Sequence, residues 1–95
     1  MKIITVSCIA KSKFRNELIA LCKSMIDPSR AEKGCIHYSF YQDLNDDNKF
    51  FFYEEWNDQS TIDLHNNSKH FLDFQPKFKT MIIGDATITI YTIEQ

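Results

Sequence analysis

Apolar residues recur along this chain with two periods, that of a β-strand and that of an α-helix, and the order of these segments limits the folds that the chain can adopt. Alternating or short apolar runs predict four strands, over residues 3–10, 35–42, 50–56 and 86–93. The Asp and Asn side chains of residues 43–48 predict a turn, because such side chains bond their own backbone. The second and third strands are therefore expected to form a hairpin.

Segments in which apolar residues recur with helical spacing lie between the first and second strands and between the third and fourth strands. The first such segment predicts an amphipathic helix over residues 13–26. Two shorter helical segments lie between the third and fourth strands. Prolines and capping residues give the expected helix boundaries: Asp27-Pro28 ends the first helix, Asn57 or Asp58 starts the second, Ser68 starts the third, and Pro76 interrupts it.

The resulting order, β-α-β-β-α-β, is that of the ferredoxin-like α+β fold, in which the helices cover one face of a four-stranded antiparallel sheet. The other face should then be polar. Here both faces are apolar, since residues 50–53 are four consecutive aromatics and Tyr91 and Ile93 alternate with Ile88 and Ile90. We therefore predict a two-fold homodimer through the sheet faces. A monomer with an exposed aromatic patch is the alternative.

Composition excludes several classes of function. The 95 residues, expected to form a single domain over 1–95, carry a net charge of −2, which does not favour binding to nucleic acid or an anionic membrane. The aromatic third strand and the element order are shared with RNA-recognition domains, but two glutamates follow the aromatics here. No uncharged stretch has the roughly 20 residues that a membrane helix needs, and no secretory signal is evident. We expect a cytoplasmic protein whose odd set of cysteines, Cys8, Cys22 and Cys35, stays reduced in the core.

His65 and His70 are the candidate catalytic residues. A neutral imidazole is available as a base near pH 7. Five residues correspond to about 140° around a helix, so the pair does not match a helical zinc motif, and no metal site is predicted. A helix break at Asn66-Asn67-Ser68 would let both rings face one space; the alternative is one buried, hydrogen-bonded histidine and one exposed one. His37, which shares a strand face with Cys35, is a weaker candidate.

Aromatic residues near these histidines are candidates for the wall of a substrate cavity between sheet and helices, and equally for an ordinary core. Glu54 and Glu55 point to opposite faces of the third strand. One of them must approach a buried layer, where an unpaired carboxyl group has a raised pKa. The candidate wall residues are Tyr38, Tyr53, Trp56, Phe71 and Phe74.

Three segments together resemble the antibiotic biosynthesis monooxygenase (ABM) domain family: KGCIHY at 33–38, FYEEWND at 52–58 and HNNSKHF at 65–71. The resemblance extends from Ile3 to about Tyr91. It implies a dimeric α+β barrel made of two ferredoxin-like subunits.

The resemblance also implies chemistry, because the quinol-oxidising and polyketide-oxidising members use O₂ without metal, flavin or nicotinamide. We therefore expect a cofactor-independent monooxygenase of a small quinol or phenol, with His65 or His70 as the base. A haem-degrading branch is disfavoured, because its iron-binding histidine corresponds to Gln75, its pocket tryptophan to His65 and its first-strand asparagine to Ser7. An isomerase branch that acts on a phosphorylated sugar stays open, with Lys69 as the phosphate-binding candidate, as does a non-catalytic dimer that binds a small ligand.

Overall fold

The computed structural model describes residues 1–94 and contains the predicted elements in the predicted order. Gln95, the last residue of the predicted single domain, lies outside the described residues. No helix within residues 1–94 is long and apolar enough to cross a membrane. The elements are β1 (Lys2–Ile9), a 3-10 turn (Ser12–Phe14), α1 (Arg15–Lys23), α2 (Ile26–Arg30), β2 (Cys35–Gln42), β3 (Lys49–Trp56), α3 (Gln59–Asn66), α4 (Lys69–Met81) and β4 (Thr87–Thr92).

The four strands form one antiparallel sheet in the order β2-β3-β1-β4. The first strand therefore lies in the interior of the sheet and pairs with both β3 and β4, as a ferredoxin-like fold requires. Glu54 of β3 lies opposite Ile4 of β1 on one side and Tyr38 of β2 on the other. The predicted α+β fold class is confirmed.

The core fills the space between the helices and one face of the sheet. Because side chains alternate along a strand, the even-numbered residues of β3 all point into this layer and are buried. Each large apolar side chain that becomes fully buried stabilises the fold by about 1.5–3 kcal/mol. The largest fully buried apolar side chains are Trp56, Phe50, Leu18, Met25 and Ile62.

The turn between β2 and β3 is confirmed, together with its mechanism. The Asp43 carboxylate accepts a hydrogen bond from the Asn45 backbone N–H at 2.7 Å, and the Asp46 carboxylate accepts one from the Asn48 N–H at 2.9 Å. These local side-chain bonds take the place of strand pairing at the end of the hairpin.

The first predicted helix is wrong at its carboxyl end. Helix α1 stops at Lys23, and a separate short helix, α2, runs through Asp27 and Pro28. Pro28 is the third residue of α2, within the first turn, where a backbone N–H has no partner inside the helix. The proline is therefore compatible with the start of a second helix, which the local preference of Asp27-Pro28 for a helix end does not reveal.

The break predicted at Pro76 is also wrong, because α4 continues through it to Met81. A proline inside a helix costs about 3 kcal/mol. Phe74 and Phe78, on either side of it, are both buried in the core, and burial of each contributes about 1.5–3 kcal/mol. Packing of these two rings therefore outweighs the local preference of the proline.

The face of the sheet away from the helices, here called the open face, carries apolar side chains that a single chain leaves uncovered. Tyr41 is 51% exposed, Tyr91 49% and Phe51 38%. Tyr53 and the exposed Ile93 extend the same face. The sheet thus carries apolar side chains on both faces, as its sequence predicts.

The three cysteines are free, as expected. Cys8 and Cys22 are buried and Cys35 is half-buried. Burial raises the pKa of Cys8 and of Cys35 to about 11, so these thiols are protonated at neutral pH and behave as core residues.

Candidate functional site

A cavity of about 410 Å³ lies between the sheet and α4, within the range of small-molecule sites. Four polar side chains that are buried or half-buried line it: Tyr38, Glu54, His65 and Gln75. Lys79 and Asp85 are exposed at its solvent side. The rest of the wall is mainly apolar and includes Val6, Phe52, Phe71, Phe74, Phe78 and Ile88.

His65 lies in the last turn of α3 and is only 3% exposed. Asp58 starts this helix with a capping box, which confirms it as one of the two predicted caps. Three rings pack around the imidazole, with centroids 4.7 Å away for Trp56, 5.3 Å for Phe71 and 5.8 Å for Tyr38. This packing fixes the orientation of the histidine.

One nitrogen of His65 is held by a carboxylate, and the other is left for the cavity. The Nδ1 atom lies 2.5 Å from Oε2 of Glu32. Because an ionised carboxylate can only accept, this bond assigns the proton of the neutral ring to Nδ1 and leaves a lone pair on Nε2. Within residues 1–94, Nε2 makes no hydrogen bond, and Glu32 does not line the cavity whereas His65 does.

His70 shares the same carboxylate. Its Nε2 lies 3.1 Å from Oε2 of Glu32, and its ring centroid is 5.8 Å from that of His65. Ser68 separates the two helices, since its hydroxyl bonds to the His65 carbonyl and accepts from the Phe71 N–H. The predicted helix break is confirmed, and the space that both histidines face is occupied by Glu32.

Burial sets the protonation state of the groups around the cavity. It raises the pKa of Glu54 to about 7, and the negative charge of Glu32 adds to this rise, whereas the hydrogen bond from Trp56 Nε1 at 3.0 Å opposes it. Burial and the charge of Glu54 raise the pKa of the Tyr38 hydroxyl. Burial also lowers the pKa of His65, against the effect of Glu32. The buried groups of the cavity thus favour their neutral forms.

Four of the seven predicted site residues line one cavity. They come from three different elements, one from β2, one from α3 and two from α4, so the fold and not local sequence brings them together. The four are Tyr38, His65, Phe71 and Phe74.

The other three predicted site residues lie elsewhere. Trp56 is fully buried beside His65 and does not line the cavity. His70 contacts Glu32, outside the cavity. Tyr53 lies on the open face and donates its hydroxyl to Glu55 at 2.6 Å. The parity of a strand puts Tyr53 and Trp56 on opposite faces, a signal that the sequence contained.

Glu32 is the site residue that sequence reasoning missed. It lies 33 positions before His65, in the turn between α2 and β2, and nothing local identifies it. The same turn contains Gly34, whose φ is +89° and whose Cα faces the Thr61 side chain of α3 at close range. This close approach holds the turn against α3 and brings Glu32 to His65.

Glu32, His65 and His70 are also the described residues that could hold a metal ion. One ligand atom of each lies within 4.8 Å of the other two. Two imidazoles and one carboxylate suit zinc and several other first-row metals. Of these three residues, only His65 also lines the cavity.

The remaining candidates lie outside the cavity. Lys69, the candidate for binding phosphate, is 88% exposed and pairs with Asp73 at 2.6 Å. His37 is exposed and bonds to Ser39 at 2.7 Å. Neither residue lines the cavity.

Comparisons with known proteins agree on one family. The family model described as antibiotic biosynthesis monooxygenase matches residues 1–77. A protein of Synechocystis sp., sll1783, is 41% identical over 81 residues, which cover 85% of this chain but only 55% of that protein. The protein named "Putative monooxygenase YcnE" of Bacillus subtilis is 31% identical over 72 residues, 76% of each chain.

Solved structures agree on the fold. A crystal structure described as antibiotic biosynthesis monooxygenase superposes with a TM-score of 0.93 over 100% of both chains, at 23% identity. A conserved protein from Methanosarcina mazei Go1 has a TM-score of 0.91 and 32% identity, covering 99% of this chain and 94% of that chain.

Proposed function

Since the chain belongs to the antibiotic biosynthesis monooxygenase family, we propose that it oxidises a small quinol or phenol with O₂, without metal or organic cofactor, and that His65 takes up the hydroxyl proton of the substrate. One observation carries this proposal. The Nε2 atom of His65 has no hydrogen bond within residues 1–94, and its ring borders a largely apolar cavity. A base placed in this way acts only on a molecule that enters the cavity.

The cavity suits a flat aromatic substrate. Phe52, Phe71 and Phe74 supply ring faces and edges on which another ring can pack. Its volume of about 410 Å³ accommodates a bicyclic molecule, whose rings would displace water from the apolar part of the wall. Exclusion of water matters because charged and radical species in the site are otherwise lost to side reactions.

The chemistry needs no cofactor, because the substrate supplies the electrons. Triplet O₂ reacts slowly with closed-shell molecules, but a phenolate or quinolate can transfer one electron to it. The resulting radical pair combines into a C–O bond, and protonation gives a hydroperoxide. Loss of water then leaves a carbonyl group, so that one oxygen atom stays in the product and the other leaves in water.

The carboxyl groups of Glu32 and Glu54 each have a role in the proposed reaction. When His65 accepts a proton at Nε2 it becomes a cation, and Glu32 at 2.5 Å from Nδ1 stabilises that charge. Glu54 lines the same cavity with a pKa raised to about 7 by its burial. In its protonated form it supplies the proton with which water leaves.

The same proposal makes the protein a homodimer that contacts its copy through the open face, in a reducing compartment such as the cytoplasm. The exposed aromatic residues of that face support the first part. The three free cysteines suit the second.

Oxygen uptake with menadiol-type quinols tests the assignment of His65. We expect His65→Gln to lower the catalysed rate by about 10² to 10⁴-fold. His70→Ala should have a smaller effect, because His70 does not line the cavity. Leu64→Gln is the matched control, since Leu64 precedes His65 on α3, is 65% exposed and does not line the cavity, and it should leave the rate unchanged.

Two results would contradict the proposal. If His65→Gln consumes O₂ as fast as the parent protein, His65 is not the base. If the quinols bind in the cavity, as measured by calorimetry, but O₂ uptake stays at the level of buffer, the protein is a ligand-binding dimer and not an oxygenase.

A further inference from the structure

We propose that Glu32, His65 and His70 form a binding site for a first-row divalent cation, for which Zn²⁺ is the reference ion. The site lies behind His65, on the side away from the cavity. It goes beyond the proposed oxygenase function, in which the substrate proton is taken up at Nε2 of the same ring and Glu32 binds no ion.

The ligand atoms already converge. Oε2 of Glu32 lies 2.5 Å from Nδ1 of His65 and 3.1 Å from Nε2 of His70, and all three atoms fall within 4.8 Å of one another. Ligands about 2.0 Å from a tetrahedral ion are about 3.3 Å apart. The ion therefore replaces the proton on Nδ1. Its binding needs Glu32 to move back from His65 by less than an ångström, and the two imidazole nitrogens, which lie within 4.8 Å of each other, to reach the same spacing. A change in the Glu32 side-chain rotamer supplies this movement while the turn stays in place.

The surroundings favour a cation. Within residues 1–94, neither Glu32 nor Glu54 forms an ion pair with a lysine or an arginine. Histidine is therefore the only basic partner of Glu32 among the described residues. An ion at Glu32 would neutralise this local charge.

The site is preformed and accessible. His65 is held by the rings of Trp56, Phe71 and Tyr38, so that its Nδ1 atom does not have to be ordered when the ion binds. On the solvent side, the His70 side chain is 26% exposed and that of Glu32 16%. These two residues give the ion a path from water and leave its remaining coordination positions to water molecules.

A cation at this site does not contact a substrate in the cavity, because Glu32 and His70 do not line it and the imidazole of His65 lies between. With the ion on Nδ1, the neutral ring carries its proton on Nε2. On the premise of the proposed function, a bound cation therefore prevents His65 from accepting the substrate proton and inhibits oxidation.

Cobalt titration of the chelator-treated protein tests the site, because Co²⁺ gives visible absorption bands when nitrogen and oxygen ligands hold it. We expect saturable bands in the micromolar range that Zn²⁺ abolishes by displacement. Glu32→Gln and His70→Ala should each weaken cobalt binding at least about tenfold. Because His70 is the less buried of the two histidines, its substitution should disturb the fold less than that of His65. Circular dichroism checks that each variant is folded.

Two matched variants control for other ligands. His37→Ala removes an exposed histidine from the other face of the sheet, and Cys35→Ser removes the half-buried thiol that lies near Glu32. Both should leave the cobalt bands unchanged. Absence of saturable binding, or equal weakening by Glu32→Gln and His37→Ala, would overturn the proposal.

Binding and turnover are measured separately, so that the two proposals fail separately. If cobalt binds as expected but no quinol is oxidised, the metal site stands and the proposed function fails. If quinols are oxidised but no cation binds at Glu32, the function stands and the metal site is wrong.

Discussion

Glu54 is the buried carboxyl group of the cavity, and its ionisation should be visible in the stability of the whole protein. Only 5% of its surface is exposed, and within residues 1–94 its side chain accepts a single hydrogen bond, from Trp56. Its burial raises the pKa from an ordinary value of 4.5 to about 7. Between those two pH values the folded protein holds a proton that the unfolded chain has released.

The sign of the effect follows from this difference. Glu54 contributes stability that is fully present below about pH 4.5 and is lost as the pH rises through 7. The loss is on the order of 3 kcal/mol. Glu54→Gln keeps an acceptor for Trp56 and removes the ionisation, so the variant should lose less unfolding free energy than the parent between pH 5 and pH 8.

Urea denaturation at those two pH values measures both proteins. His65 acts in the opposite direction, because its lowered pKa makes stability rise with pH through the ordinary histidine range. This contribution is present in both proteins. Burial raises the pKa values of Tyr38 and Cys35, so these groups stay protonated between pH 5 and pH 8 and add little to the difference. If the free energy of unfolding falls by the same amount in parent and variant between pH 5 and pH 8, burial does not raise the pKa of Glu54 as proposed.

At the scale of residues, the sequence predicted which side chains could take part in chemistry better than it predicted which of them lie together. His65 could be chosen because imidazole is a base near neutral pH, and the period of a strand could place one of Glu54 and Glu55 inside. Glu32 could not be found, because its contact with His65 depends on how a turn packs against α3. Long-range packing of this kind has no local signal in the chain.

Gly34 is the element-level feature that holds this turn in place. Its φ of +89° is unfavourable for any residue with a side chain, and a Cβ there would lie 2.2 Å from Cγ2 of Thr61. Gly84 has a φ of +63° but nothing within 4 Å of a Cβ. The two glycines thus share the backbone cost of substitution, about 1–2 kcal/mol, and differ in the clash.

Gly34→Ala should therefore destabilise the protein more than Gly84→Ala, by about 1–3 kcal/mol. The additional cost reflects displacement of the turn from α3, which also separates Glu32 from His65. Urea denaturation gives the free energies of unfolding. Equal values for the two variants would mean that the turn moves freely and that Gly34 does not position Glu32.

Strands and helices differed in how far their sequences predicted them. The strands and the hairpin turn were found because alternation and the Asp side chains of the turn are local properties. The helices were misjudged at Pro28 and Pro76, where local preference argues for an end. Pro28 fits into α2 because it lies in the first turn of that helix. Helix α4 continues through Pro76 because Phe74 and Phe78 are buried.

At the scale of the whole molecule, one sheet serves two purposes. Its helix-side face forms the floor of the cavity, and its open face presents Tyr41, Phe51 and Tyr91 to solvent in the single chain. Exposed patches of this kind are typical of contact surfaces. A standard interface covers about 800 Å² on each partner, an area that a four-stranded sheet can provide.

We expect sedimentation equilibrium at micromolar concentration to give about twice the 11.2 kDa mass of one chain. Phe51→Lys combined with Tyr91→Glu should shift the protein to a monomer, because both side chains lie on the open face and their charges would be buried in the dimer. Leu72→Lys is the matched control: Leu72 is 53% exposed but lies on α4, so this variant should remain dimeric. A parent protein that sediments as a single chain would exclude the dimer and leave the open face as a surface of the monomer.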